Sequence, residues 1–357
     1  MLKRIYGFKN RLKVNSWRLH DYGDIENLQL NESRIPIVEH PDDVLVQVKA
    51  ASVNPIDALM LSGYGRTLFR IPRLCEMELP LTLGRDFSGI VIEKGLNVGN
   101  KYQIGDEVYG FIPIHKQGAF SQAIIANSSH ILPKPSNLSH TESASLVYAA
   151  MTAWSALYLF GTLCLRNKKG LRVLILGGSG GVGTVAIQLL KSQGCSVFVT
   201  CAKDAAPLVS DLGADCVFDY KDEDFEKQVE SQGKYHIILD GAKTGIRNIP
   251  KTWKFDSYIT LNSPLLLNAD NHGLFEGFLR SSCDLLGSNL DRLQTGSTVK
   301  WGFFVPSAEG FKFINELIVN QKIRPVVQHK FQFEDLPKAF RTLKDGHLRG
   351  KIVINYD

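Results

Sequence analysis

The stretch RVLILGGSGGVGTVAIQLLKSQG, residues 172–194 of the 357, decides the fold. It opens on the uninterrupted apolar run 173–176, as a strand buried on both faces should. The run passes straight into Gly178-Ser179-Gly180-Gly181-Val182-Gly183, a G-x-G-x-x-G spacing, and then into a segment with helical character at 182–192. Each glycine has a physical task in such a loop. Gly178 makes the tight turn, Gly180 lets the backbone approach a pyrophosphate, and Gly183 lets helix and strand pack closely. The helix start offers N–H groups and a partial positive charge to phosphate. The spacing alone is weak evidence; placed after a strand and before a helix it predicts a dinucleotide site. No G-K-[ST] follows, which disfavours an ATP-type loop.

Working outward, six short apolar runs recur at 173–176, 197–200, 216–219, 235–240, 258–262 and 299–305, with helical stretches such as 205–212 between the early ones. That alternation predicts a doubly wound parallel sheet with helices on both faces. The gap at 263–298 holds apolar clusters and predicts a helical insertion. Upstream, 44–50 alternates apolar and polar, and 89–93 and 106–112 read as further strands between Gly, Pro and Asn turns. The fold class is therefore α/β, with a mainly β domain joined to the parallel-sheet domain. From 323 the chain reads strand, helix, strand, a tail able to return to the first domain.

Dinucleotide sites for NAD usually carry an acid at the end of the second strand to hold the ribose 2′-OH. Here that strand ends Val199-Thr200-Cys201-Ala202-Lys203, with Asp204 behind the lysine. A cation at this place suits a 2′-phosphate and predicts NADPH; the bland alternative is a solvated loop lysine.

Six of the 41 basic residues lie within the first 19 positions, and the other 35 balance the 36 acidic ones. A near-neutral body argues against nucleic acid as a partner. The basic, acid-free start has Leu2, Ile5, Tyr6 and Leu12 at helical spacing, so residues 1–13 are expected to be a targeting segment for the mitochondrial matrix. Six cysteines, at 75, 164, 195, 201, 216 and 283, form no C-x-x-C pair and no zinc-type cluster. They are expected to be buried free thiols, with no metal site. Residues 145–165 carry no charge over a length that spans a bilayer. Their Ser, Thr and Gly content favours a buried helix over a transmembrane span.

Several stretches together carry a resemblance: ASVNPIDALMLSGYG (51–65), PLTLGRDFSGIV (80–91), MTAWSAL (151–157), LILGGSGGVGT (174–184), LGADCVFDYK (212–221) and GHLRGKIVIN (346–355). The chain resembles the medium-chain dehydrogenase/reductase superfamily, in its quinone oxidoreductase branch. The resemblance implies a GroES-like catalytic domain from 14–147 and 323–357, a Rossmann NADP-binding domain at 148–322, and an active site in the cleft. Zinc-dependent relatives place a cysteine ligand near Asn54 and a GHE motif where this chain has Gly84-Arg85-Asp86; the chain is expected to be zinc-free.

By motif, the resemblance puts Ser179, Gly181 and Val182 on the pyrophosphate and Tyr220 beside the 2′-phosphate. Leu239 offers a backbone contact, and Gly302 to Phe304 lie beside the nicotinamide. His347, Leu348 and Arg349 are C-terminal contacts, with Asn54 and Thr152 near the nicotinamide end. The structural alternatives are strand-end packing for Tyr220, core for Phe303 and Phe304, a turn cap for Asn54, and surface for His347 and Arg349. This chain departs from its relatives at Ala202, where they often have a serine, and at Leu59, where many have an aromatic. Tyr64 is the candidate proton donor.

A bound nicotinamide carries the hydride, and solvent can supply the proton. The expected activity is an NADPH-dependent reductase of a quinone-type acceptor or activated alkene. An enoyl-thioester or enone reductase is the first alternative, and a non-enzymatic NADPH-binding protein with a protein partner the second. A homodimer belongs to the same expectations.

Overall fold

The structure, a computed structural model, describes residues 13–71 and 78–356. The targeting expectation for 1–13 and the cysteine at 75 fall on residues outside these, apart from Lys13. The chain divides into two units: residues 1–148, 327–347 and 351–357 form the first, and residues 149–326 and 348–350 the second.

The second unit holds a six-stranded parallel sheet. Counted along the chain its strands are Arg172–Leu176, Ser196–Cys201, Cys216–Asp219, Tyr235–Asp240, Phe255–Thr260 and Thr298–Trp301, arranged in the order 3-2-1-4-5-6. Val173, Leu174 and Ile175 are all buried, because a parallel strand is covered on both faces. Burying each such side chain contributes roughly 1.5–3 kcal/mol. Helix Gly181–Ser192 packs Val185, Ala186, Ile187, Leu189 and Leu190 inward and stops at Gly194, whose φ of 76° is left-handed.

Two strands differ from expectation. The fifth begins at Phe255, earlier than 258, because Phe255 and Ser257 are buried on either side of the polar Asp256. The sixth ends at Trp301, not 305, with Gly302 N–H making the last bond to the Thr260 carbonyl at 2.8 Å. The 263–298 segment is helical over Leu265–Leu290, two helices meeting at Gly273, whose φ of 79° is not helical.

The first unit is built mainly on antiparallel pairing, with one parallel pair between Val327–Gln332 and Lys351–Asn355. Asp43–Val53 runs between Lys351–Asn355 and Asp86–Lys94, with Glu107–Phe111 and Ile131–Pro133 beyond and Val327–Gln332 at the other edge. A hairpin of Lys13–Leu19 and Leu28–Arg34 adds a second sheet, tied in by Trp17 Nε1, which donates to the Phe333 carbonyl at 2.8 Å.

One apolar helix, His140–Phe160, is long enough to cross a membrane, and 78% of its most apolar stretch is buried inside the protein. It is a core helix whose last residues, Ser155–Phe160, widen into a π-helical turn. The five described cysteines are free; Cys195 and Cys201 are buried, but Cys164 and Cys283 are exposed, against the expectation of buried thiols. Both stand on helical segments whose neighbours, Leu165 and Leu286, also face outward.

Candidate functional site

The order of the parallel sheet reverses between its first and fourth strands, and the glycine loop leaves the first strand there. Ligands of doubly wound sheets bind at this reversal. The tight turn expected at Gly178 is one residue earlier: Gly177 has a φ of 82°, and the N–H groups of Gly177 and Gly178 both point at the Thr200 carbonyl. Gly178 is required for a different reason, since a Cβ there would lie 2.0 Å from Val199 Cγ1. At Gly183 a Cβ would sit 2.4 Å from the Gly177 carbonyl oxygen, so loop and helix pack backbone to backbone. Gly180 is different: its nearest atom is 3.6 Å away, which leaves that side of the loop open. Gly181 and Val182, both half-buried, form the first helical turn, whose N–H groups have no intrahelical acceptor. Ser179 is buried and its carbonyl accepts from Gly350 N–H at 2.8 Å. These residues fit a dinucleotide phosphate: an open concave backbone at a helix N-terminus.

At the end of the second strand, Lys203 opens a 3-10 turn, Lys203–Ala205, and is exposed. It lines a cavity of about 340 Å³ with Cys201, Ala202, Asp219, Lys221 and Asp222. Tyr220, also exposed, stands outside that lining and is held by its N–H on the Cys201 carbonyl at 3.3 Å. Sequence reasoning missed Lys221, whose ammonium lies 5.9 Å from the Tyr220 ring centre; its place directly after Tyr220 in FDYK was the available signal. Arg349 Nη2 donates to both carboxylate oxygens of Asp204, at 3.0 and 2.8 Å. The pair holds Asp204 below the usual carboxylate range, the hydrogen bond from Arg349 being the largest cause.

Of the residues expected near the nicotinamide, Thr152, Gly302 and Phe304 belong to the second unit. Thr152 is buried, and Ser155, one turn on, places its Oγ 2.5 Å from the Phe303 carbonyl. Gly302 has side chains of Ala156, Ile259 and Leu261 at 3.1 Å from where a Cβ would stand. Phe303 is half-buried and meets the Phe160 ring edge-on at 5.9 Å; Phe304 is half-buried as well. Leu239 is buried in the fourth strand, so only its backbone can serve a ligand. Leu348 is half-buried, and His347, in the first unit, is exposed with a φ of 56°.

Asn54 and Tyr64 lie in the first unit. Tyr64 is half-buried in a turn between two left-handed glycines, Gly63 and Gly65. Asn54 is buried at the N-cap position of helix Pro55–Leu61, and its side chain is committed within the fold. Its Oδ1 accepts from Lys351 Nζ at 2.5 Å and its Nδ2 donates to Asp86 Oδ1 at 3.1 Å. Asp86 also accepts from Ser52 Oγ at 2.7 Å and Tyr148 N–H at 3.1 Å. Asp57 accepts from the N–H groups of Asn54 and Gly84, both at 2.9 Å, with Arg85 Nε at 3.6 Å. Asp57, Arg85 and Asp86 are fully buried and Lys351 nearly so. Burial pushes Asp57 up to about 6 against the pull of Arg85, raises Asp86, and lowers Lys351. Among the described residues, no group of three or more His, Cys, Asp or Glu stands close enough to hold a metal ion.

The alcohol dehydrogenase GroES-like domain family matches residues 40–136, and the zinc-binding dehydrogenase family matches 212–354. The human protein "NAD(P)H oxidoreductase RTN4IP1, mitochondrial" is 42% identical over 351 residues, covering 95% of this chain and 88% of its own length. The chain belongs to the medium-chain dehydrogenase/reductase superfamily. Another relative within this superfamily, "Reticulon-4-interacting protein 1, mitochondrial" of Caenorhabditis elegans, is 33% identical across 100% of this chain and 99% of its own. Among solved structures, the quinone oxidoreductase of Coxiella burnetii superposes with a TM-score of 0.77 at 26% identity, over 97% of this chain and 100% of that one. The superfamily's two parts, a GroES-like domain and a parallel-sheet nucleotide domain, account for the two kinds of sheet.

Proposed function

We propose that this NAD(P)H oxidoreductase of the medium-chain superfamily uses NADPH to reduce a quinone-type acceptor, without zinc. The observation that carries the cofactor reading is the loop at the sheet reversal, closed to any Cβ at Gly178 and Gly183 and open at Gly180. Gly178 to Gly183 hold the pyrophosphate through backbone N–H groups and the helix start. Lys203 and Tyr220 serve the 2′-phosphate, and Arg349 is a C-terminal contact beside them, paired with Asp204. Leu239, Gly302, Phe304, His347 and Leu348 border the rest of the cofactor, with Asn54 and Thr152 toward the nicotinamide. The bound nicotinamide supplies a hydride. Tyr64 is the side chain proposed to hand a proton to the reduced acceptor.

Two things support the acceptor and zinc readings. The Coxiella protein is a quinone oxidoreductase. At the place where zinc relatives carry ligands, the donors are already committed: Asn54 Oδ1 to Lys351, and Asp57 to two N–H groups beside Arg85. Admitting a dication would break these contacts and leave a buried cation without its partner, which is costly. A location in the mitochondrial matrix is part of the proposal; the names of the relatives support the mitochondrion, and the name of the nematode one supports a protein partner.

The test is turnover of NADPH with a panel of quinones, enones and enoyl-CoA esters, with and without a chelator. Quinone turnover indifferent to chelator is expected. Preference for enoyl-CoA moves the protein to the first alternative. Gly181→Asp, which puts a carboxylate where pyrophosphate sits, should abolish cofactor binding with little loss of fold. Normal affinity in this variant places the phosphates elsewhere.

A further inference from the structure

We infer that Arg349 sets the cofactor preference by masking Asp204. The inference deepens the NADPH reading above and rests on it. A carboxylate just past the second strand is what grips a ribose 2′-OH and repels a 2′-phosphate. This chain has one there after all: Asp204, in the turn that follows Ser196–Cys201. Both of its oxygens are taken by Arg349 Nη2, at 3.0 and 2.8 Å.

The arginine reaches it from far along the chain, and its backbone is fixed independently. Gly350 N–H donates to the Ser179 carbonyl at 2.8 Å, and Gly350 pairs with Gly180 in an isolated bridge. Gly350 has a φ of 94°, and a Cβ there would lie 2.2 Å from the Val326 carbonyl oxygen, so the strand must pass at this spot. The 348–350 segment is thus anchored on the phosphate loop and throws its guanidinium to the ribose corner. The arginine side chain is 23% exposed and the aspartate 72%. The other charges at this corner are Lys203, Lys221, Asp219 and Asp222, which line the adjacent cavity. With Asp204 neutralised, two lysines balance two carboxylates there, and a phosphate is tolerated. Without Arg349 the corner gains a bare carboxylate and becomes one suited to NADH.

The experiment measures Kd for NADPH and for NADH on the full chain, as wild type, Arg349→Gln, Asp204→Asn and the double variant, with circular dichroism to confirm folding. Arg349→Gln should weaken NADPH about tenfold more than NADH, the size of one added like-charge contact in a partly screened site. The double variant should recover most of that loss. Equal weakening of both cofactors in Arg349→Gln overturns the inference in favour of a purely structural strap. Loss of NADPH without recovery in the double variant overturns it in favour of direct phosphate binding by Arg349. A wild type that prefers NADH overturns the cofactor reading itself, before any variant is compared.

Discussion

Two clusters of charge stand in this molecule, one in each unit, and they obey different physics. In the first unit Asp57, Arg85, Asp86 and Lys351 are out of water, held by hydrogen bonds and ion pairs within the fold. In the second unit Lys203, Asp204, Tyr220 and Lys221 stand in solvent at the end of a sheet. Buried charge can be left in place only if the fold supplies a partner, so it constrains structure. Exposed charge contributes little to folding and is left free to meet a ligand. The comparison predicts that substitutions in the first cluster read out as stability and those in the second as affinity.

The largest effect is expected at Arg85. Besides facing Asp57, its guanidinium donates to the Pro113, Lys116 and Thr82 carbonyls, each at 3.0 Å. Arg85→Met leaves a fully buried carboxylate without its cation, which typically costs 3–5 kcal/mol. Lys344→Ala, which breaks the exposed pair with Asp24, should leave stability nearly unchanged. Urea unfolding of both variants measures the contrast; similar losses for the two would erase the distinction between the clusters.

A sharper test uses pH. Burial raises the Asp57 carboxyl from 3.8 to about 6. A carboxyl raised in the folded state binds its proton more readily there than in the unfolded chain. Its contribution is therefore fully present below pH 3.8 and is lost as pH rises to about 6. At ~1.36 kcal/mol per pKa unit, this amounts to about 3 kcal/mol. Asp57→Asn removes the titration. Whatever its constant cost, its stability relative to wild type should improve by about 3 kcal/mol between roughly pH 3 and pH 7. A difference that stays flat across that window means Asp57 is not desolvated as the structure has it.

What could be read in advance follows the same division. The parallel sheet was legible because its signals are local: apolar runs of strand length, a glycine spacing and helices between. The motif residues GRDFSG were legible as a departure from zinc ligands. What they do was not, because Lys351 reaches Asn54 across 297 positions and no spacing rule spans that distance. Arg349 and Asp204 are 145 positions apart and were hidden for the same reason. The turn was misplaced by one residue because Gly177 and Gly178 are adjacent, and sequence cannot say which of two glycines takes the left-handed φ. The fifth strand was begun late because Asp256 interrupts the apolar run while pairing outward with Lys234 at 2.6 Å.

The smallest effect is expected at Lys203, and it decides whether the exposed corner is a ligand site at all. A hydrogen bond to a charged group contributes ~1.5–3 kcal/mol, roughly 10- to 150-fold in affinity. Lys203 is exposed and shares its cavity with Asp219 and Asp222, so the lower end applies. Lys203→Ala should weaken NADPH about tenfold, leave NADH nearly unchanged and leave unfolding in urea unaltered. Raising the salt should shrink the difference, because the charge is screened. Lys221→Ala, in the same cavity, is the companion measurement. If it alone weakens NADPH, the phosphate sits toward the third strand rather than the second. Equal small losses for both cofactors in both variants would mean these lysines only solvate the surface, and the contrast between the two clusters would then be one of burial without function.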